Sequence, residues 1–174
     1  MAFSPFTAGL FTAGQILTAA QMNTYIRDNI NFLYKPPMCV LNSTTPVGIT
    51  ASVNTDILYS TESVDTDTMH STTVNTGRIT INTAGVYVVN AQLAMAGSGA
   101  DGSRVLARIV KNGTEICRTD TGNYGATTEV AFCLAITTSC AVTDYLTFTV
   151  LQVSAGARNL NSSAFAASFV GNPA

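Results

Sequence analysis

The chain contains no tryptophan and a single histidine, and charged residues occupy only 10% of its 174 positions. Globular proteins usually carry about a quarter. A surface this poor in charge suits a chain packed against other subunits better than an enzyme diffusing alone, which keeps charge for solubility. The formal net charge of −2 leaves no basic footprint, so nucleic-acid partners are not expected. No apolar run approaches the ~18 residues of a membrane span, and no membrane insertion is expected. The stretch Met1-Ala2-Phe3-Ser4-Pro5-Phe6 lacks the basic and continuously apolar regions of a signal peptide. The expectation is a protein made in a cytoplasm, which stays there or leaves inside a larger particle. On that route the sequons at Asn42, Asn112 and Asn161 are idle.

The residues of common chemistries are scarce too. Cys39, Cys117, Cys133 and Cys140 form no CxxC pair and no Cys/His cluster, so no zinc site is expected. They read as reduced, mostly buried thiols, with one late-forming bridge as the alternative. Asp65-Thr66-Asp67 with His70 is the one carboxylate–histidine grouping. Two carboxylates suit a hard cation, but the string lacks the other acidic and glycine positions of an EF-hand loop and reads as a solvated turn. His70 has Ser71, Thr72 and Thr73 nearby, yet neither a GxSxG elbow nor an HExxH pair exists. No catalytic residue, metal or cofactor is therefore assigned. Gly97-x-Gly99-x-x-Gly102 matches the dinucleotide fingerprint only formally, because the residues after it alternate as a strand instead of opening a helix. Arg104, Arg108 and Arg118 share one strand region and suit anions or sugars, or plain solvent-facing and interface roles.

What the sequence does have is one helix, placed early. Thr18 is a suitable N-cap, with Gln21 closing a capping box and Leu17 and Met22 at hydrophobic-staple positions. Met22, Ile26, Ile30 and Leu33 recur as one apolar stripe, and Lys35-Pro36-Pro37 ends it. A helix this short is not stable alone in water, so the stripe needs a cover. Ahead of it, residues 1–16 form an arm with a near-tandem repeat, Phe6-Thr7-Ala8-Gly9-Leu10 and Phe11-Thr12-Ala13-Gly14-Gln15. Such an arm is either disordered or laid in a groove on a partner. Its phenylalanines favour the groove, making Phe3, Phe6, Phe11 and Leu17 the candidate docking residues.

From residue 36 on, strand signals follow at short intervals: 38–41, 57–60, 78–81, 86–95, 104–111, 130–137, 145–153 and 163–170. Tyr87, Val89, Ala91, Leu93 and Met95 alternate with Asn90 and Gln92, marking a half-buried strand, and Asn112-Gly113 is a type I′ hairpin dipeptide. The predicted class is mainly β, an antiparallel jelly-roll sandwich spanning residues 36–174. In the strand at 130–137 the second face, Ala131, Cys133 and Ala135, is small and uncharged, so subunit packing is predicted there.

Gly85-Val86-Tyr87-Val88-Val89-Asn90-Ala91 resembles the GxYxxxA strand of the C1q/tumour-necrosis-factor superfamily. The pieces around it follow in order over about residues 38–171: Asp65 with His70, Arg78-Ile79-Thr80-Ile81, Asn112-Gly113, Asp144-Tyr145-Leu146 and Phe165…Phe169-Val170-Gly171. Thr143 stands where that pattern has glycine. The resemblance implies a ten-stranded jelly roll that forms tight homotrimers. A second stretch, Gly14-Gln15-x-Leu17-Thr18-Ala19-x-x-Met22-Asn23…Arg27-Asp28-Asn29…Leu33, resembles the start of structural proteins of tailed bacteriophages. It implies a virion component with an N-terminal attachment piece and a globular head. The expected partners are two further copies, with Met22, Ile26, Ile30, Leu33, Ala131, Cys133 and Ala135 at the trimer interface. Other virion proteins of capsid, neck or tail are expected at the arm, and a host-surface glycan at the head. The alternative is a free-standing C1q-like lectin or ligand-binding module.

Overall fold

Period-two burial sets the architecture. The computed structural model describes residues 11–97, 103–124 and 129–172, and in these a helix is followed by strands only. The strands are β1 (Met38–Ser43), β2 (Val47–Ile49), β3 (Thr55–Asp56), β4 (Glu62–Asp65), β5 (Arg78–Thr80) and β6 (Gly85–Met95). They continue with β7 (Ser103–Lys111), β8 (Thr114–Tyr124), β9 (Val130–Cys140), β10 (Tyr145–Val153) and β11 (Arg158–Gly171). One sheet runs β4-β1-β11-β6-β9, with β2 also on β11; the other runs β3-β10-β7-β8, with β5 also on β10. All ladders between named strands are antiparallel. This is the predicted antiparallel sandwich.

The core lies between the sheets. Tyr87, Val89, Ala91, Leu93 and Met95 are buried, as their alternation predicts, and meet Ile109, Phe148 and Val150 from the facing sheet. Phe148 of β10 stacks on Phe165 of β11 across the layers, with centroids 6.0 Å apart. At Asn112-Gly113 both residues have positive φ, as a type I′ hairpin requires, and they join β7 to β8.

Some boundaries differ from the sequence reading. Residues 57–60 are not a strand. Ile57 N–H still donates to Phe148 O, but Tyr59 N–H turns away to Thr76 O, and both side chains enter the core. Burial without a ladder produced the alternation there. Strands β2, β3 and β4 are too short to show a period, and β8 reads Thr-Glu-Ile-Cys-Arg-Thr-Asp, too polar to register as half-buried. Residues 98–102, with most of the glycine fingerprint, lie outside the described residues; the segment after them is strand β7, not a helix.

The helix α1 opens with the predicted cap. Thr18 Oγ1 accepts from Gln21 N–H at 3.2 Å, and Gln21 Oε1 accepts from Thr18 N–H at 3.0 Å. It is an α turn at Ala19–Gln21, a π segment at Met22–Arg27 and an α segment at Asp28–Tyr34. The π segment is not signalled by the sequence, and it matters. Its wider turn shifts the angular phase, so residues spaced four, four and three apart no longer lie on one line. The helix docks on the head through buried Phe32; Asn29 is buried too, its Nδ2 donating to Tyr25 O at 3.0 Å. Phe32 meets Phe169 edge to face at 5.1 Å, and Phe169 meets Tyr87 the same way at 5.6 Å.

Candidate functional site

The two outer faces of the sandwich differ in chemistry, and each is a candidate surface. On the six-stranded sheet the outward positions of β1, β6, β9 and β11 include Val40, Val88, Ala94, Ala131, Cys133, Ala135, Ala164 and Ala166, relieved by Asn42, Asn90 and Gln92. None of the outward side chains on these four strands is charged. Ala131, Cys133 and Ala135 are exposed in the single chain, so the chain itself does not cover the face predicted to be packed. A shallow depression of about 490 Å³ crosses its middle between Val40, Gln92, Cys133 and Ala166. An uncharged surface of small residues, with Thr137, Ser139 and Ser168 among its polar positions, admits another backbone closely.

The helix leaves a second uncovered surface. Met22, Ile30 and Leu33 are 43%, 59% and 74% exposed, while Ile26 is half-buried. The predicted stripe is therefore not what attaches α1 to the head; Phe32 does that. In the arm, Thr12-Ala13-Gly14-Gln15 forms a turn closed by Gln15 N–H to Thr12 O, with Gly14 at φ +81°. Phe11 lies edge-on to Tyr25 of the helix at 6.2 Å, and Leu17 is half-buried. Part of the candidate docking set thus leans on its own helix. Phe3 and Phe6 lie outside the described residues.

The five-stranded sheet is the opposite. Its outward face carries Arg78, Arg104, Arg108, Glu115, Arg118 and Asp120. Arg104 grips Asp120 with Nε 2.9 Å and 2.8 Å from the two carboxylate oxygens, which holds that carboxyl below its usual range. Arg108 Nη1 donates to Asn54 Oδ1 at 2.8 Å, and its Nε lies 3.1 Å from Glu115. Arg118 Nε is 3.7 Å from Glu115. All three arginines singled out in the sequence are therefore partnered.

Between them lies a groove the sequence did not announce. β3 and β5 share one edge of β10, Asp56 opposite Thr149 and Arg78 opposite Thr147. Over their junction sits a depression of about 310 Å³ lined by Asn54, Asp56, Arg78, Arg108, Glu115, Tyr145, Thr147 and Thr149. A second, of about 290 Å³, shares Asp56 and Arg78 with it and extends past Gly77 to Asn75. The Arg78 guanidinium lies 4.2 Å above the Tyr145 ring, a cation–π contact. Strand alternation in Arg78-Ile79-Thr80 signals an outward arginine; its meeting with Tyr145 depends on pairing across the sheet.

The acidic grouping is structural. Asp65 accepts three backbone N–H groups, from Asp67 at 3.1 Å, Met69 at 2.9 Å and His70 at 2.9 Å. Asp67 accepts from Thr83 Oγ1 at 2.8 Å. His70 is buried, with Nδ1 3.1 Å from Glu62 Oε2 and Nε2 3.1 Å from Thr76 O. The turn is thus tied down from within, not solvated. All four cysteines are free thiols, but only Cys39 and Cys140 are buried, which corrects the expectation of mostly buried ones. Burial pushes the Cys39 thiol up, and neighbouring Asp65 and Glu62 add to it.

No family model matches the sequence, and no curated protein matches it. Solved structures do match the fold. The globular domain of the zebrafish complement 1qA protein superposes with a TM-score of 0.61 at 11% identity, covering 79% of this chain and 99% of that one. The Eiger tumour necrosis factor of S. frugiperda gives 0.55 at 14% identity, covering 79% and 96%. The chain therefore carries a jelly roll of the C1q and tumour-necrosis-factor type.

Proposed function

We propose that the protein is a non-enzymatic structural component of a bacteriophage virion, a homotrimeric fibre, spike or decoration module anchored by its N-terminus. One observation carries the assembly: the outward side chains of β1, β6, β9 and β11 carry no charge, yet this face stands open in the single chain. Three copies meeting through this face would bury Ala131, Cys133 and Ala135 of each. Met22, Ile30 and Leu33, left exposed while Phe32 docks the helix, supply a second apolar surface for the same association. The virion assignment is supported by the likeness of residues 11–34 to phage structural proteins. In this arrangement the arm joins the particle and the charged sheet faces outward.

Light scattering on the full chain tests it. The expected species is three times 18.2 kDa. Ala135→Glu should give a folded monomer, because each copy would bury an unpaired carboxylate at a cost of roughly 3 kcal/mol or more. A wild-type monomer at micromolar concentration contradicts the assembly. Deleting residues 1–16 should abolish incorporation into particles while leaving the head folded; normal incorporation contradicts the anchoring role.

A further inference from the structure

The groove on the five-stranded sheet has an unusual balance of engaged and idle polar groups. Arg108 is held by Asn54 and Glu115, and Asp56 accepts from Thr149 Oγ1. Arg78, by contrast, makes neither an ion pair nor a side-chain hydrogen bond among the described residues; its guanidinium rests on the face of Tyr145. The hydroxyls of Tyr145 and Thr147 are likewise without partners among the described residues, and both line the same groove. A guanidinium presents five N–H donors in a planar fork shaped for a carboxylate. Here it rests over a ring, which lowers the entropy cost of ordering it for a ligand.

We propose that this groove binds a carboxylate-bearing saccharide, with the sugar acid on Arg78 and sugar hydroxyls on Asp56, Thr147 and Tyr145. Asp56 selects among the possible occupants. A bare anion meeting Arg78 would also face this carboxylate, in a lining where Arg78 and Arg108 are balanced by Asp56 and Glu115. The favoured occupant brings one negative charge together with hydroxyl donors that a carboxylate can accept. Acidic sugars carry both within one ring; acidic peptides bring charge with few hydroxyls. The second depression, continuous through Asp56 and Arg78, gives room for a neighbouring sugar. The groove lies on the sheet opposite the uncharged face, so it stays open in the trimer. The inference deepens the display role of the head and rests on that reading only for its biological setting.

The test uses the full chain on an array of neutral, uronic-acid and sialylated oligosaccharides, with poly-glutamate as a further probe, followed by titration of retained sugars by ligand-observed NMR. Acidic oligosaccharides should be retained and neutral ones not. Arg78→Gln should weaken binding by about tenfold or more, the scale of removing a charged hydrogen bond, with partial recovery in Arg78→Lys. Arg104→Gln, which removes equal charge outside the groove, should leave it unchanged, and melting curves confirm that each variant folds. No retained saccharide at millimolar concentration, equal retention of neutral sugars, retention of poly-glutamate alone, or equal losses in the Arg78 and Arg104 variants would each overturn the proposal. Light scattering on the same samples keeps the two readings apart. A trimer without sugar binding removes only this inference, and a sugar-binding monomer removes only the assembly.

Discussion

Replacing Gly85 with alanine should destabilise the head and loosen the helix, against what backbone propensity suggests. Gly85 opens β6, and glycine inside a strand normally costs about 0.5–1 kcal/mol relative to alanine. Propensity therefore expects Gly85→Ala to stabilise. Packing expects the reverse. A Cβ at this position would overlap Phe169 Cε2 and lie 2.7 Å from Cδ2 and 2.9 Å from the carbonyl oxygen of Gly171. Ordinary carbon contacts sit at about 3.5–4.0 Å. The ring cannot swing freely, because Phe32 and Tyr87 hold it on two sides at 5.1 Å and 5.6 Å. Overpacking costs about 1–3 kcal/mol, and breaking either edge-to-face ring pair adds about 0.5–1.5 kcal/mol. With the propensity gain subtracted, the net loss is about 1–4 kcal/mol, or a melting-temperature fall of roughly 2–15 °C for a domain of this size. Melting at matched protein concentration measures it, with Gly48→Ala as the control, since a Cβ at Gly48 meets nothing within 4 Å. Because Phe32 docks on the displaced ring, trypsin should also cut faster at Arg27. A variant that melts at or above the wild type, with unchanged cleavage, refutes the reasoning.

Two further expectations follow from backbone and titration. Thr143 is the third residue of a turn closed by Asp144 N–H to Ala141 O, and it adopts φ +74°, a conformation costly for a β-branched residue. Thr143→Gly should gain about 1 kcal/mol, read as a higher urea midpoint; an unchanged or lower midpoint contradicts the strain. Burial also pushes the thiol of Cys39 and the hydroxyls of Tyr59 and Tyr87 up. The folded state then keeps protons that the unfolded chain releases, so stability is complete below about pH 9 and falls as pH rises past about 10. The slope is up to about 1.4 kcal/mol per pH unit for each group. Urea midpoints from pH 8 to 11 check the direction, and a flat profile contradicts it.

How much was legible depended on the range of the interactions. Local ones were readable: the Thr18–Gln21 box, the Asn112-Gly113 hairpin and the alternation of β6 all stand as expected. The GxYxxxA pattern acquires a physical cause. Gly85 makes room for Phe169, Tyr87 is buried with its hydroxyl donating to Thr83 O at 2.6 Å, and Ala91 lies in the core. The position where that pattern has glycine proves to need positive φ, which Thr143 supplies under strain. Long-range placement was not readable. Nothing in one dimension shows that the helix contains a π segment, or that it docks through Phe32, which lies outside the apolar stripe. The groove was hidden for the same reason, since Asp56, Arg78 and Tyr145 meet only through the register of β3, β5 and β10.

The attachment of α1 to the head also has a mechanical side. The helix leads through Pro36-Pro37 directly into β1, and Pro37 O accepts from Phe169 N–H at the far end of β11. β1 is not an edge strand: β11 and β4 flank it, with Met38 opposite Ser168 and Cys39 opposite Asp65. A pull on the arm along the strand axis loads both ladders in shear, so their hydrogen bonds must fail together. A pull across the axis meets Phe32, Phe169 and Tyr87 first, before any ladder peels. A tether that enters a fold through an interior strand transmits force to the whole sandwich instead of unzipping one edge.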